Sequence, residues 1–414
     1  MRLFATLAAM LTIASTAVAQ SFPESVIFDD VIDISFQMNP RTALDWQEVA
    51  AARADRTTAG AWPNPTVTYT NAYQPGELTN FSSHRAHEVG TAFPLLLGGQ
   101  RRARIEAAEQ GLFAAEARVK AAATNRAVEA GAAYIAILVA QEKVSLLQGR
   151  QKEVARLRSV VKGRQQSGMA SEYDLMRIEV EGATWQTELG EAKADLSAKQ
   201  AQLASILGVA NWRPRGAGKL RPWPITALQG LDEYVIEHPS VTAARRDERF
   251  ARATVETARR EQFPDVSLTT DTFWTDRPFG ATASVGVSVE IPIFDRREGA
   301  VQKAEAEARS AYLKLRVAEV EVNADLNKYA AQVRERTVAF DNYRNNVMPR
   351  LARLKRMADD AYKLRGGTIA DLLDATRTRV ESTANGVELI GNLMEAQLRY
   401  QAARGDISSL LTEH

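Results

Sequence analysis

A chain of 414 residues has room for two or three ordinary domains, and its 52 Lys and Arg against 51 Asp and Glu leave a formal charge of +1. Loss of Arg2 with an N-terminal leader takes that balance to zero, so charge lends nothing to a nucleic-acid or other polyanion partner. The absence of cysteine excludes disulfides, thiolate metal sites and a lipid-modified N-terminal Cys.

Residues 1–19 read as a secretory signal, with Arg2 as the basic end, an apolar run around Leu3 to Ile13, and Ala17-Val18-Ala19 as the cleavage site. No later stretch offers the roughly 18 unbroken apolar residues of a membrane helix, so any crossing must use a closed β-barrel. After a turn at Asn39-Pro40 and a helical stretch come two strand-like runs, 65–73 and 87–93, joined through Pro75-Gly76, which predict a β-hairpin over 65–94. From Gly99 to about Val161 the pattern is helical, with Ile105, Ala108, Leu112, Ala115, Val119 and Ala122 stepping by three and four. At about 1.5 Å per residue this tract makes a rod of ~90 Å. A shorter helix, about 171–207, returns along it.

The same order then recurs. Pro239 lies 199 residues after Pro40, Pro264 lies 199 after Pro65, and Pro292 lies 198 after Pro94. A spacing this long is no solenoid period; it implies one half-molecule duplicated and fused. The expected organisation is a first repeat over 20–210, an irregular Pro/Gly/Trp/Arg-rich linker at 211–224, and a second repeat over 225–414. The second repeat has its hairpin at 265–292 and its long helices at 299–411. Strands 265–275 and 281–291 turn through Arg277 to Gly280. Runs of about 9 to 11 residues suit a tilted bilayer-crossing strand, but taken alone they suit a half-buried soluble sheet as well. Four strands cannot close a barrel, so a membrane role requires oligomerisation.

Both helical tracts turn at glycines: Gly168 before Ser171 and Asp174, and Gly366-Gly367 before Thr368, Asp371 and Asp374. Ser171 with Asp174, and Thr368 with Asp371, have the spacing of a helix cap followed by an acidic third residue. The same carboxylates, repeated around an oligomeric tube, would form cation-attracting rings. His84 and His87 fall on opposite faces of a strand, which disfavours a shared zinc and reads as a surface pair. No nucleophile elbow, HExxH, Walker loop or dinucleotide fingerprint occurs, so no catalytic constellation and no cofactor is expected.

Signal peptide, paired hairpins, long coiled-coil pairs and junction prolines together resemble the TolC-like outer-membrane factors of tripartite efflux pumps, over essentially the whole mature chain. The run from Pro94 to Arg104, PLLLGGQRRAR, is similar to the junction of the heavy-metal-efflux, CzcC-like branch, with Gln100 where a lysine is usual. The resemblance implies an α+β membrane protein: a homotrimer whose four strands per subunit close a barrel of about twelve, continued by an α-helical periplasmic tunnel. It implies a pore gate at Asp371, Asp374, Asp174 and Tyr362. Gly367 stands where the best-known members carry an arginine of the latch. The implied partners are a periplasmic adaptor, an inner-membrane resistance-nodulation-division pump and outer-membrane lipid. The expected function is a passive exit duct for divalent metal cations. Drugs or type I protein secretion are the near alternatives, and a soluble periplasmic coiled-coil adaptor is the alternative of a different class.

Overall fold

The computed structural model describes residues 22–37, 39–74, 84–224, 235–275, 280–364 and 367–406; the signal-like segment and the turns at 75–83 and 276–279 lie outside them. Among the described residues the first half runs β1 (Ser25–Val26), α1 (Phe28–Gln37), α2 (Pro40–Ala59), β2 (Thr66–Gln74), β3 (His84–Leu95), α3 (Gln100–Gln166), α4 (Glu172–Leu207) and β4 (Arg215–Gly216). The second runs α5 (Pro239–Arg260), β5 (Asp265–Thr275), β6 (Ala281–Glu290), α6 (Glu298–Asn342), α7 (Met348–Lys363) and α8 (Ile369–Ala403).

Helix α3 is a single piece of 67 residues, about 100 Å long. Alanines at Ala103, Ala107, Ala114, Ala115, Ala117, Ala123, Ala127 and Ala130 are buried on several of its sides, which lets α2, α4, α5 and α8 all approach it. Part of α3 is long and apolar enough to cross a bilayer by composition alone, yet half of that stretch is buried inside the protein. Its Tyr134, Ile135, Ile137 and Leu138 form the main core with Phe28, Val31 and Ile32 of α1, Leu203 and Leu207 of α4, and Met394 and Leu398 of α8.

Residues 211–224 are irregular apart from β4, but they are firmly held. Arg215 and Gly216 pair in parallel with Ser25 and Val26, Trp212 and Trp223 are buried in the main core, and three side chains fasten the segment. Gln141 bonds both backbone groups of Gly216 at 2.8 and 3.2 Å, Gln397 does the same for Trp223 at 3.0 and 2.9 Å, and the Tyr134 hydroxyl accepts from Gly218 N–H at 2.9 Å. The long helical tract of the second half is interrupted. Between α6 and α7 the residues Tyr343–Val347 form a π-helical turn, and Pro349 follows in the first turn of α7. Proline has no N–H to donate to the preceding turn, and one wide turn absorbs the mismatch. The last helix also stops at Ala403, short of the expected 411.

The four long strands form one antiparallel sheet in the order β2-β3-β5-β6, so the two hairpins are joined edge to edge through β3 and β5. The register separates two faces. One carries Val67, Tyr69, Tyr73, Val89, Phe93, Leu268, Trp274, Val285, Val287 and Val289, most of them exposed in a single chain. The other carries Thr66, Thr68, Thr70, Glu88, Ser267, Thr269, Asp271, Ser284, Ser288 and Glu290. The His84 side chain lies outside the described residues; the His87 ring stacks between Tyr69 and Trp274 with Nδ1 2.9 Å from the Tyr69 hydroxyl.

Candidate functional site at the helical tip

Far from the sheet, the α3–α4 and α7–α8 turns share one apolar core. Val154 and Val161 of α3, Ile178 and Trp185 of α4, and Ile369, Leu372 and Leu373 of α8 are buried together, with Tyr362 and Ala358 of α7 half-buried against them. That core brings the two glycine turns into a single tip, although about 200 residues separate them in the chain.

At the first turn α3 ends on Gly168, whose φ of 70° is the left-handed value that glycine adopts without strain. Its N–H donates to the Gln165 carbonyl at 2.9 Å and that of Met169 to the Arg164 carbonyl at 2.8 Å, closing the helix end. Ser171 then opens α4. Its hydroxyl accepts Asp174 N–H at 3.1 Å, and Asp174 Oδ2 accepts Ser171 N–H at 3.0 Å. Thr368 and Asp371 repeat that reciprocal arrangement at the start of α8, at 3.2 and 2.8 Å. Gly366 lies outside the described residues; Gly367 has no left-handed backbone, and a side chain there would press on Ala361 at 3.2 Å.

Asp371 and Asp374 are exposed and Asp174 is half-buried. Hydrogen bonds from the Thr368 backbone and hydroxyl hold the Asp371 carboxyl below its usual range, and Arg177 adds to the effect. It is therefore an anion at neutral pH, with one oxygen committed to the helix start. Tyr362 presents its ring to the Arg164 guanidinium 4.4 Å away, and its carbonyl accepts from Arg164 Nη1 at 3.5 Å.

Charged side chains at the tip are not all left to solvent. Glu153 of α3 lies between Lys355 of α7 at 2.8 Å and Arg379 of α8 at 2.5 Å, and is mostly buried there. Arg377 of α8 reaches Glu181 of α4 at 2.6 Å. Arg150 is buried with its guanidinium 3.6 Å from the centre of the Trp185 ring and bonds Glu188 at 3.0 Å. Burial lowers the Arg150 pKa and Glu188 opposes that shift. Nothing local in the sequence shows which helix supplies each counter-ion. Among the described residues no group of three or more metal-ligating side chains is close enough to hold an ion.

A helical tip, a two-faced sheet and paired hairpins make one architecture, and a family model described as "Outer membrane efflux protein" matches residues 31–209 and 231–406. The chain belongs to the outer membrane efflux protein family. It is 26% identical over 318 residues to the cobalt-zinc-cadmium resistance protein CzcC of Cupriavidus metallidurans, covering 76% of each chain. It is 23% identical to the nickel-cobalt-cadmium resistance protein NccC of Alcaligenes xylosoxydans xylosoxydans, covering 78% of this chain and 73% of that one. The solved structure of CusC superposes with a TM-score of 0.78 at 16% identity over 92% of both chains, which establishes the TolC-like fold. This efflux protein accordingly sits in the outer membrane and extends into the periplasm. Members of its family work beside an adaptor and an inner-membrane pump.

Proposed function

We propose that three copies of this efflux protein close a barrel of about twelve strands and form an exit duct for divalent heavy-metal cations. In one chain β2 and β6 end the sheet with unpaired edges, an arrangement that lipid does not tolerate, and pairing β6 with β2 of the next copy removes both. The apolar face then meets outer-membrane lipid and the Thr/Ser/acidic face lines the lumen. Residues 20–210 and 225–414 are the two copies of a duplicated unit, each giving one hairpin to the sheet and one helical hairpin to the tunnel.

Asp174, Asp371, Asp374 and Tyr362 surround the periplasmic mouth in this reading, with the acidic groups drawing cations in. Exposed Tyr173, Met176 and Val180 recur at helical spacing on α4 near the tip and offer the adaptor an apolar strip. The pump supplies the driving force; the duct makes and breaks no bonds. The metal assignment is carried by the cobalt-zinc-cadmium and nickel-cobalt-cadmium resistance relatives, and the Pro94 to Arg104 junction agrees with it.

Deletion of the gene is expected to lower the tolerated concentration of zinc, cobalt, cadmium or nickel and to leave a drug panel unchanged. Sensitivity confined to drugs would overturn the metal assignment and keep the duct. Recovery of the protein as a soluble monomer would remove the duct itself.

A further inference from the structure

Two helices of this chain begin on a proline and are capped by the residue before it. At the first, Asn39 Oδ1 accepts Arg41 N–H at 3.0 Å to start α2, while Asn39 Nδ2 donates to the Ile206 carbonyl, in the last turn of α4, at 2.9 Å. At the second, His238 Nδ1 accepts Ser240 N–H at 3.2 Å to start α5, and His238 Nε2 lies 3.2 Å from the Ala402 carbonyl in the last turn of α8. A left-handed glycine completes each joint: Gly208 against Pro40 and Gly405 against Pro239. Both cap residues are buried. An amide and an imidazole thus do the same work, each offering one acceptor to a helix start and one donor to a helix end. Acceptance at Nδ1 fixes the proton of the His238 ring on Nε2, so the ring is neutral and held in one tautomer.

We propose that the His238 joint is an acid-operated release confined to the α5–α8 contact, and that its counterpart at Asn39 is insensitive to acid. A second proton on the ring converts Nδ1 from acceptor to donor, directly facing the Ser240 N–H that it must cap. The helix start loses its partner and a buried ring gains a charge; Asn39 has no proton to gain. The charged and titratable groups around the cavity of about 390 Å³ that adjoins the ring are Glu129 from α3, Glu321, Asp325 and Tyr329 from α6, and Arg399 from α8. Asp325 favours the protonated ring, but burial is the larger effect and keeps the ring's pKa below the usual histidine value. With a depressed folded-state pKa, the folded chain binds fewer protons than the unfolded one. The joint is therefore complete above about pH 6.5 and weakens as pH falls towards the lowered value.

The test is hydrogen–deuterium exchange on the full-length protein in detergent micelles at pH 7.5 and 5.0, normalised for intrinsic exchange rates. The amides at 240–243 are expected to lose protection about five- to tenfold at the lower pH, the scale of one lost cap, while those at 41–44 keep theirs. His238→Asn installs the cap used at the other joint, and its protection at 240–243 is expected to be equal at both pH values. His238→Gln serves as a second variant with the same expectation. Unchanged protection at 240–243 in the wild-type protein overturns the proposal, as does a pH-dependent loss in a folded His238→Asn or His238→Gln protein equal to the wild-type one.

Discussion

The two long rods of this molecule are built from similar residues but stand in different surroundings. Helix α3 meets α1, α2, α4, α5 and α8 of its own chain and buries small or apolar side chains on several sides. Helix α6 packs chiefly on α5 and α8 and leaves Tyr312, Leu313, Val317 and Val320 exposed at helical spacing. One chain satisfies the first rod and only half of the second. In the proposed trimer the exposed apolar positions of α6 meet a neighbouring copy, since a helix that is apolar beyond its own contacts needs a neighbour.

The largest expected effect on the fold of one chain is on α3. Ile137 is fully buried among α1, α4 and α8, and Ile137→Ala should cost about 2–5 kcal/mol, read as a lowered unfolding midpoint of the protein in micelles. The matching change on α6 acts elsewhere. Leu313→Ser with Val317→Ser should leave the fold of one chain intact but weaken self-association by about 1.5–3 kcal/mol per side chain covered in the assembly. Cross-linking and detergent-resistant migration report it. Equal trimer yield from this double variant and the wild-type protein would mean that α6 faces solvent or the lumen instead.

A smaller effect tests why only the second rod breaks. If Pro349 causes the π-helical turn at Tyr343–Val347, then Pro349→Ala restores the missing N–H. The segment should relax to an α-helix with a gain of about 1 kcal/mol. Amide exchange across 342–350 should slow in that variant. If exchange there is unchanged, the buried Tyr343 ring holds the turn open and the proline merely tolerates it.

The strands were legible in the sequence because their side chains alternate at a period of two, and each run is bounded by proline or glycine. The helix starts at Ser171 and Thr368 were legible because a cap and its acidic partner lie three residues apart, within one turn. What failed had long-range causes. Residues 211–224 have the composition of a loop, and nothing local shows that Trp212 will bond the Pro23 carbonyl at 3.0 Å or that Gln397 will hold Trp223. The Arg164–Tyr362 contact and the Glu153 cluster join helices that the chain brings together only after a full second hairpin. Chain order foretold that two tips exist, and packing decided which charges meet there.

The smallest effect separates capping from pore chemistry at Asp371, where α8 starts on the same reciprocal cap as α4. The Thr368 hydrogen bonds lower the Asp371 pKa, so the folded chain holds fewer protons there than the unfolded one. The stabilisation is complete above the ordinary carboxylate value of about 3.9 and is lost as pH falls through the lowered one. Protection of the first turn of α8, residues 369–373, should therefore stay flat from pH 8 to about pH 4 and drop below it. Asp371→Asn keeps the side chain's size but removes its charge. It should weaken that turn at neutral pH, where the anion complements the helix start, and abolish the acid step. Asp374 lies one turn further in and belongs to neither reciprocal pair, so Asp374→Asn should leave protection unchanged. A fall in the cation preference of single channels in a planar bilayer on Asp374→Asn, with no change in protection, would assign Asp374 to the ion path. If cation preference follows the loss of protection in Asp371→Asn and is untouched in Asp374→Asn, the acidic residues of this tip act by shaping the turn and not by attracting ions.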